Sequence, residues 1–238
     1  MLLLAKLILG FFDKFTQDKV FKFIKTIINN KINTLLDVGS HKGEYIININ
    51  KSFSINKIFG FEPSPRSYEI LLRNTKKMNN TEVFSSAVGK EDGVSILNQN
   101  IESSSSSINS LNERSKYFKR KYFFFNFLKK KEYINPIEIK ILSLENFINL
   151  KKIDFIDLLK IDTEGYEFNV IKGLGDNISK VKLIHLEHHF DDMVLKNYKL
   201  SDIHNYLIQN RFKKVFKVKM MFRKSFEYIY LNTLLKSK

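Results

Sequence analysis

The 238-residue chain has no cysteine and no tryptophan, and only 9 glycines and 3 prolines. Without cysteine there is no disulfide framework, no thiolate nucleophile and no zinc site built on sulfur. So little glycine and proline argues against a loop-rich fold. Long apolar runs are missing too: none reaches the roughly 18 residues of a membrane-spanning helix. Acidic residues are outnumbered, 25 against 40 Lys and Arg, which leaves a formal charge of +15. That balance suits nucleic acid, an anionic membrane surface or an acidic substrate. The chain is also heavy in Lys, Asn, Ile and Phe, as an AT-rich coding sequence would give, so total charge names no partner and only local clustering does. What is present is ample: 43% of residues are hydrophobic, which excludes a disordered or collagen-like chain. The length supplies a full core for one large domain or two small ones.

The chain opens MLLLAKLILGFFDKF. This apolar stretch, residues 2–12, is too short to span a bilayer. With Lys6 inside it and Phe11, Phe12 and Asp13 after it, it lacks the layout of a cleaved signal peptide. Apolar positions continue at Phe15, Val20, Phe21, Ile24, Ile27 and Ile28, near helical spacing. Residues 2–29 are therefore expected to form one or two amphipathic helices, packed on the core or lying at an interface.

From residue 34 the pattern changes. The apolar runs TLLDVG, KIFGFEP, EVFSSAVG (82–89), FIDLLKID (155–162) and VKLIHLE (181–187) predict strands covered on both faces. Helical segments at 43–52, 65–77, 143–149, 165–173 and 201–209 alternate with them, which predicts an α/β fold around a parallel sheet. KKVFKVK (213–219) and FEYIYLN (226–232) have no helix between them and predict a closing antiparallel hairpin. Residues 98–113, with a run of five serines, carry a loop signal. Residues 117–131 read YFKRKYFFFNFLKKK, with six basic residues, seven aromatics and no acid.

Chemistry concentrates at the predicted strand ends. The first strand runs into Asp37, Gly39, Ser40 and Gly43, a glycine-punctuated turn where open α/β sheets bind nucleotides. Its G-x-x-x-G spacing is not the G-x-G-x-x-G dinucleotide fingerprint. The second strand ends at Glu62, whose carboxylate can accept hydrogen bonds from both hydroxyls of a ribose. Ser86 and Ala87, at the third, are placed to wall an adenine ring. The fourth ends in Asp162-Thr-Glu164-Gly165 and the fifth in Glu187-His188-His189. These groups can supply a general base or metal ligands, and a helix-capping role for Asp162 or Thr163 is the competing reading.

LLDVGSHKGEY, FGFEPSPRSYEIL, SSAVG, ILSLENFI and IDLLKIDTEGYEFNVIKG resemble, in order and spacing, the FkbM-type methyltransferases. LKIDTEGYE, which looks like that family's LKID-x-EG-x-E signature, is the most specific block. The resemblance covers about residues 32–190. It implies a doubly wound, mostly parallel seven-stranded sheet with a C-terminal antiparallel hairpin, the Rossmann-like class I methyltransferase fold. It implies S-adenosylmethionine as cofactor, held by Asp37, Gly39, Ser40, Gly43, Glu62, Ser86 and Ala87. It also implies O-methylation, often of a sugar hydroxyl in a surface glycan or glycolipid, with the base left open among Asp162, Glu164 and His188, and no metal assigned. His41 and Lys42 depart from the small or apolar residues usual there, and 114–135 is longer and more basic than usual.

The expected organisation is an N-terminal helical segment, 1–31, followed by a methyltransferase domain, 32–238, with a basic-aromatic insertion at about 114–135. Segments 117–131 and 2–12 are expected to meet an anionic membrane, which puts the protein in the cytoplasm and peripherally on the inner face of the membrane. A nucleic-acid methyltransferase fits the charge, but KIDTEG replaces the Pro-Pro-aromatic tetrapeptide of amino-methylating enzymes, so no nucleic acid is expected. A nicotinamide oxidoreductase lacks its glycine fingerprint. A non-catalytic membrane-associated scaffold on the same fold would have no need of Asp37, Gly39, Gly43, Glu62 and Asp162.

Overall fold

In the computed structural model the described residues are 2–100, 106–110, 112, 114–116, 119 and 134–235. Side chains are described from residue 12 onward, those of 100 and 134 excepted. The helices are α1 (Leu2–Ile28), α2 (Glu44–Ser52), α3 (Pro65–Thr75), α4 (Leu144–Leu150), α5 (Glu167–Lys172) and α6 (Leu200–Gln209). The strands are β1 (Lys31–Val38), β2 (Ser54–Phe61), β3 (Thr81–Phe84), β4 (Ala87–Gly89), β5 (Gly93–Asn100), β6 (Ile134–Ser143), β7 (Ile156–Ile161), β8 (Val181–His189), β9 (Phe212–Lys219) and β10 (Ser225–Asn232).

Seven strands form the main sheet in the order β3-β2-β1-β7-β8-β10-β9. All the pairs from β3 to β8 are parallel, and β10 runs antiparallel to both of its neighbours. The order reverses between β1 and β7, which opens a crevice at their carboxyl ends. Leu35 to Val38, Ile58 to Phe61 and all of β7 are buried, as strands covered on both faces must be. On one face Leu36, Phe59, Phe61 and Ile161 pack with Phe147, Val170 and Ile203 of α4, α5 and α6. On the other, Leu35, Ile58 and Leu158 pack with α1, Ile46 of α2 and Leu71 of α3.

The N-terminal segment is a single helix. Val20, Phe21, Ile24 and Ile28 form one buried stripe at helical spacing. Phe23 stacks on Phe216 of β9 at 4.6 Å, and Phe21 meets Tyr45 edge-on at 5.5 Å. Of the two destinations open to residues 2–29, the described C-terminal half takes the core. No helix among the described residues is long and apolar enough to cross a membrane.

Two expectations change. The run 82–89 is not one strand: β3 stays in the main sheet, the chain bends at Ser85 and Ser86, and β4 leaves to pair with β6. The beginning of the serine-rich stretch is not loop, because β5 pairs antiparallel with β6 from Gly93↔Ile141 to Asn100↔Ile134. β4, β6 and β5 thus make a second, three-stranded sheet, and residues 101–133 connect two of its strands. The basic-aromatic segment 117–131 lies outside the described residues except for Lys119.

Candidate functional site

A cleft opens over the carboxyl ends of β1, β2 and β7 and the start of β4, with Gly39, Glu62, Ala87 and Asp162 on its wall. Its shape starts with Gly39. The β1–β7 ladder continues to Asp162, whose N–H donates to the Val38 carbonyl at 2.9 Å. The chain must then turn away at once, and Gly39 does so at φ +82°. A Cβ there would stand 1.8 Å from the Asp162 carbonyl oxygen, so only glycine fits. The N–H groups of Gly39 and Ser40 both donate to the Phe61 carbonyl, and the Ser40 hydroxyl donates to the Asp37 carbonyl at 2.8 Å. Gly43, also left-handed, caps α2.

Glu62 is held from two sides. One carboxylate oxygen accepts the N–H of His41 and the other that of Ser64, each at 2.9 Å. Burial pushes its carboxyl up to about 7, against the pull of those two N–H groups and of His41. Each oxygen keeps a second acceptor position for a donor arriving through the cleft. Beside it stand Ala87 and Ser86, whose buried hydroxyl has no hydrogen-bond partner among the described residues.

Asp37 is buried, and one of its oxygens has no hydrogen-bond partner among the described residues. Burial raises its carboxyl to about 6, opposed chiefly by Lys160. Strand alternation explains what surrounds it, since side chains two apart share a face. Lys160 and Asp162 on β7 are two apart, as are His185, Glu187 and His189 on β8. The Lys160 ammonium lies 3.3 Å from Asp162. Burial alone would lower the Lys160 ammonium, but Asp162, Glu227, Glu187 and Asp37 hold it well above the usual lysine range. His185 bridges the Tyr45 hydroxyl at 3.1 Å and Glu227 at 2.7 Å.

The same alternation corrects one expectation. His188 points to the opposite face, where its Nδ1 lies 3.8 Å from Glu167 and its ring meets Phe190 edge-on. Glu167 there also accepts the Gly165 N–H and the Tyr198 hydroxyl. Burial would raise Glu167, but His188, Tyr198 and the Gly165 N–H bring it down to about 2. His188 is thus held away from Asp162 and Glu164, and His189 is the histidine that approaches them. Its Nε2 is 3.2 Å from Glu187 and 3.6 Å from Glu164, and its Nδ1 is 3.7 Å from Asp191. Burial works against its charge, yet Glu164, Asp191 and Glu187 hold it well above the usual histidine range. Asp162, raised by burial and by Glu187, faces the same cleft.

Glu164 reaches the cleft through two successive left-handed residues, itself at φ 49° and Gly165 at φ 100°. The serine-rich segment holds this turn from above. The Ser107 hydroxyl donates to the Glu164 carbonyl at 2.8 Å, and the Asn109 amide donates to that of Gly165. Arg223, from the β9–β10 hairpin, also lines the cleft and pairs with Asp13 of α1 at 2.6 Å. Sequence reasoning missed Ser107, Asn109 and Arg223, and no local pattern marks them. His189 had a signal in its i, i+2 relation to Glu187.

Comparison with known proteins agrees with this topology. The chain is 23% identical over 148 residues to "Methyltransferase 1" of Beauveria bassiana (strain ARSEF 2860), covering 60% of this chain and 58% of that protein. The structure is similar to that of methyltransferase FkbM from Methylobacillus flagellatus KT, with a TM-score of 0.53 and 16% identity, over 84% of this chain and 43% of that one. It is also similar to magnesium protoporphyrin IX methyltransferase of Synechocystis PCC 6803, solved with bound S-adenosylmethionine, at a TM-score of 0.52 and 10% identity over 94% and 81%. At these identities the structural likeness speaks for the fold alone. The chain spans less than two thirds of the length of the Beauveria and Methylobacillus proteins. The family itself rests on the sequence: the methyltransferase FkbM domain matches residues 37–215, from the first glycine turn into β9, and the chain belongs to that family.

Proposed function

We propose that this protein is an S-adenosylmethionine-dependent O-methyltransferase acting on a sugar hydroxyl of a surface glycan or glycolipid. The observation that carries the cofactor is Glu62, a buried carboxylate held by two backbone N–H groups with acceptor positions left toward the cleft. Such an acceptor suits a pair of ribose hydroxyls. Gly39, where no Cβ fits, lets a ligand come against the backbone, and Ser86 with Ala87 offers a polar atom and a small wall for the adenine. Asp37, Ser40 and Gly43 complete the cofactor-binding turn, with the Ser40 hydroxyl donating to the Asp37 carbonyl.

The cofactor, when bound, supplies a methyl group already activated on a sulfonium. The protein then has to align the acceptor oxygen and take its proton as the new C–O bond forms and the S–C bond breaks. Asp162 and Glu164 face the same cleft and are the groups for that proton. The sugar acceptor follows from the family resemblance. In this reading 32–238 is the catalytic domain and 1–31 an appended segment, working in the cytoplasm with no nucleic-acid partner and touching the inner membrane face through 2–12 and 117–131.

Calorimetry with S-adenosylmethionine tests the cofactor. Glu62→Ala removes two charge-assisted hydrogen bonds and is expected to weaken binding by about 2–4 kcal/mol; wild-type affinity in that variant would overturn the assignment. With an acceptor in hand, Asp162→Asn is expected to slow turnover by roughly 10²–10⁴-fold with cofactor affinity little changed. Turnover within about threefold of wild type, below the span of a lost base, would remove Asp162 from the chemistry.

A further inference from the structure

We propose that Asp162, Glu164 and His189, backed by Glu187, form a divalent-cation site at the acceptor end of the cleft. One ligand atom from each of Asp162, Glu164 and His189 lies within 4.8 Å of the others. Adjacent ligands on a metal with bonds of about 2.1 Å stand roughly 3 Å apart. His189 Nε2 already lies 3.2 Å from Glu187 Oε1 and 3.6 Å from Glu164 Oε2, so small side-chain rotations bring the set into that spacing.

The second observation is what these atoms lack. Glu187 is 7% exposed, and its Oε1 makes no hydrogen bond among the described residues. Nor does His189 Nε2, although the two atoms are in ion-pair range of one another. The other ring nitrogen of His189 faces Asp191 at 3.7 Å. Metal-bound histidines share this arrangement: a carboxylate orients one nitrogen and leaves the other for the ion. Lys160 and Arg223 are the fixed cations nearby, and Asp13, Asp37, Asp162, Glu164, Glu187 and Glu227 gather about them. A divalent ion here would take the place of the proton that Glu164 and Glu187 otherwise hold on His189 Nε2, adding one charge to the cluster.

The donor set selects the ion. Carboxylates with one imidazole, in a chain without cysteine, suit an oxygen-preferring first-row divalent cation of the Mn²⁺ kind. The Thr163 hydroxyl, buried beside them with no hydrogen-bond partner among the described residues, can hold one of its waters. A cation here would hold the acceptor hydroxyl and acidify it, its proton passing to a carboxylate oxygen of Asp162 or Glu164 that the ion leaves free. That role rests on the methyl-transfer reading, whereas the binding itself does not.

The test is a Mn²⁺ titration of the full chain without cofactor, followed by water-proton relaxation, beside a separate S-adenosylmethionine titration. One saturable Mn²⁺ per chain is expected, with a dissociation constant on the order of 10 µM. His189→Gln and Glu164→Gln are each expected to weaken it at least about tenfold, with circular dichroism unchanged. Glu91→Gln, at an exposed surface pair, is expected to bind as the wild type does. Glu164→Gln carries the test if His189→Gln does not fold. No saturable binding below about 1 mM, the weak end of protein sites, or unchanged affinity in the folded variants, overturns the site. Mn²⁺ binding without S-adenosylmethionine binding upholds the cation site while removing the methyl-transfer reading.

Discussion

Gly39 concentrates the demands of the site in one residue. Its φ of +82° disfavours any side chain, and the Asp162 carbonyl oxygen occupies the place where a Cβ would go. Gly39→Ala must separate the ends of β1 and β7, and it is expected to cost more than about 3 kcal/mol in a urea melt. Glu62 is the residue from which a pH dependence is expected. Its carboxyl is raised from 4.5 to about 7, so folding favours its protonated form. Its contribution to stability is full below pH 4.5 and fades as pH rises through about 7. In the proposed ribose role binding has the opposite sign, because ribose hydroxyls would donate to the ionised form. Affinity for S-adenosylmethionine is expected to rise roughly five- to tenfold from pH 6 to pH 8. His41 and Asp37 also face Glu62, so Glu62→Gln is the control. A slope that persists in Glu62→Gln belongs to another group and removes this assignment. Both positions were legible in the sequence because each closes an apolar run at a predicted strand end. Choosing His189 over His188 was not, since it turns on which way β8 faces.

Elements were read from periodicity, and they failed where periodicity does. The stripe Val20, Phe21, Ile24 and Ile28 predicted the described half of α1 because a helix has one way to bury residues so spaced. Ile24 is fully buried between this helix and the sheet, and Ile24→Ala is expected to cost about 2–4 kcal/mol by thermal or urea unfolding. Lys22→Ala, on the exposed side of the same helix, should stay within about 0.5 kcal/mol. If the two variants are equally stable, the helix does not belong to the folding unit. The run 82–89 looked like one strand because both halves are apolar and nothing local marks the bend at Ser85 and Ser86. β5 was hidden for the opposite reason. It is polar toward its end, and its partner β6 begins at residue 134, so the pairing energy that makes it a strand comes from far along the chain.

At the scale of the whole molecule, the proposed membrane contact rests on the basic-aromatic segment 117–131 and the apolar stretch 2–12. The protein is expected to co-sediment with anionic vesicles at low salt and to detach as salt shortens the Debye length to a few ångströms. Changing Phe123, Phe124 and Phe125 together to Ser should reduce that binding without lowering the melting temperature. Indifference to anionic vesicles at low salt would end the membrane reading. The sequence by itself determined the alternating strands and helices, the closing hairpin, the glycine turn at 39–43 and the carboxylates at 62, 162 and 164. Each follows from local stereochemistry or a pattern within about ten residues. The tertiary structure alone decided that His188 faces Glu167 while His189 faces Glu164 and Glu187, that Ser107 and Asn109 clamp the Glu164 turn, and that Asp13 holds Arg223 from 210 positions away. Those arrangements depend on sheet register and on long-range packing, and a side chain's direction relative to a distant segment is not encoded in its neighbours.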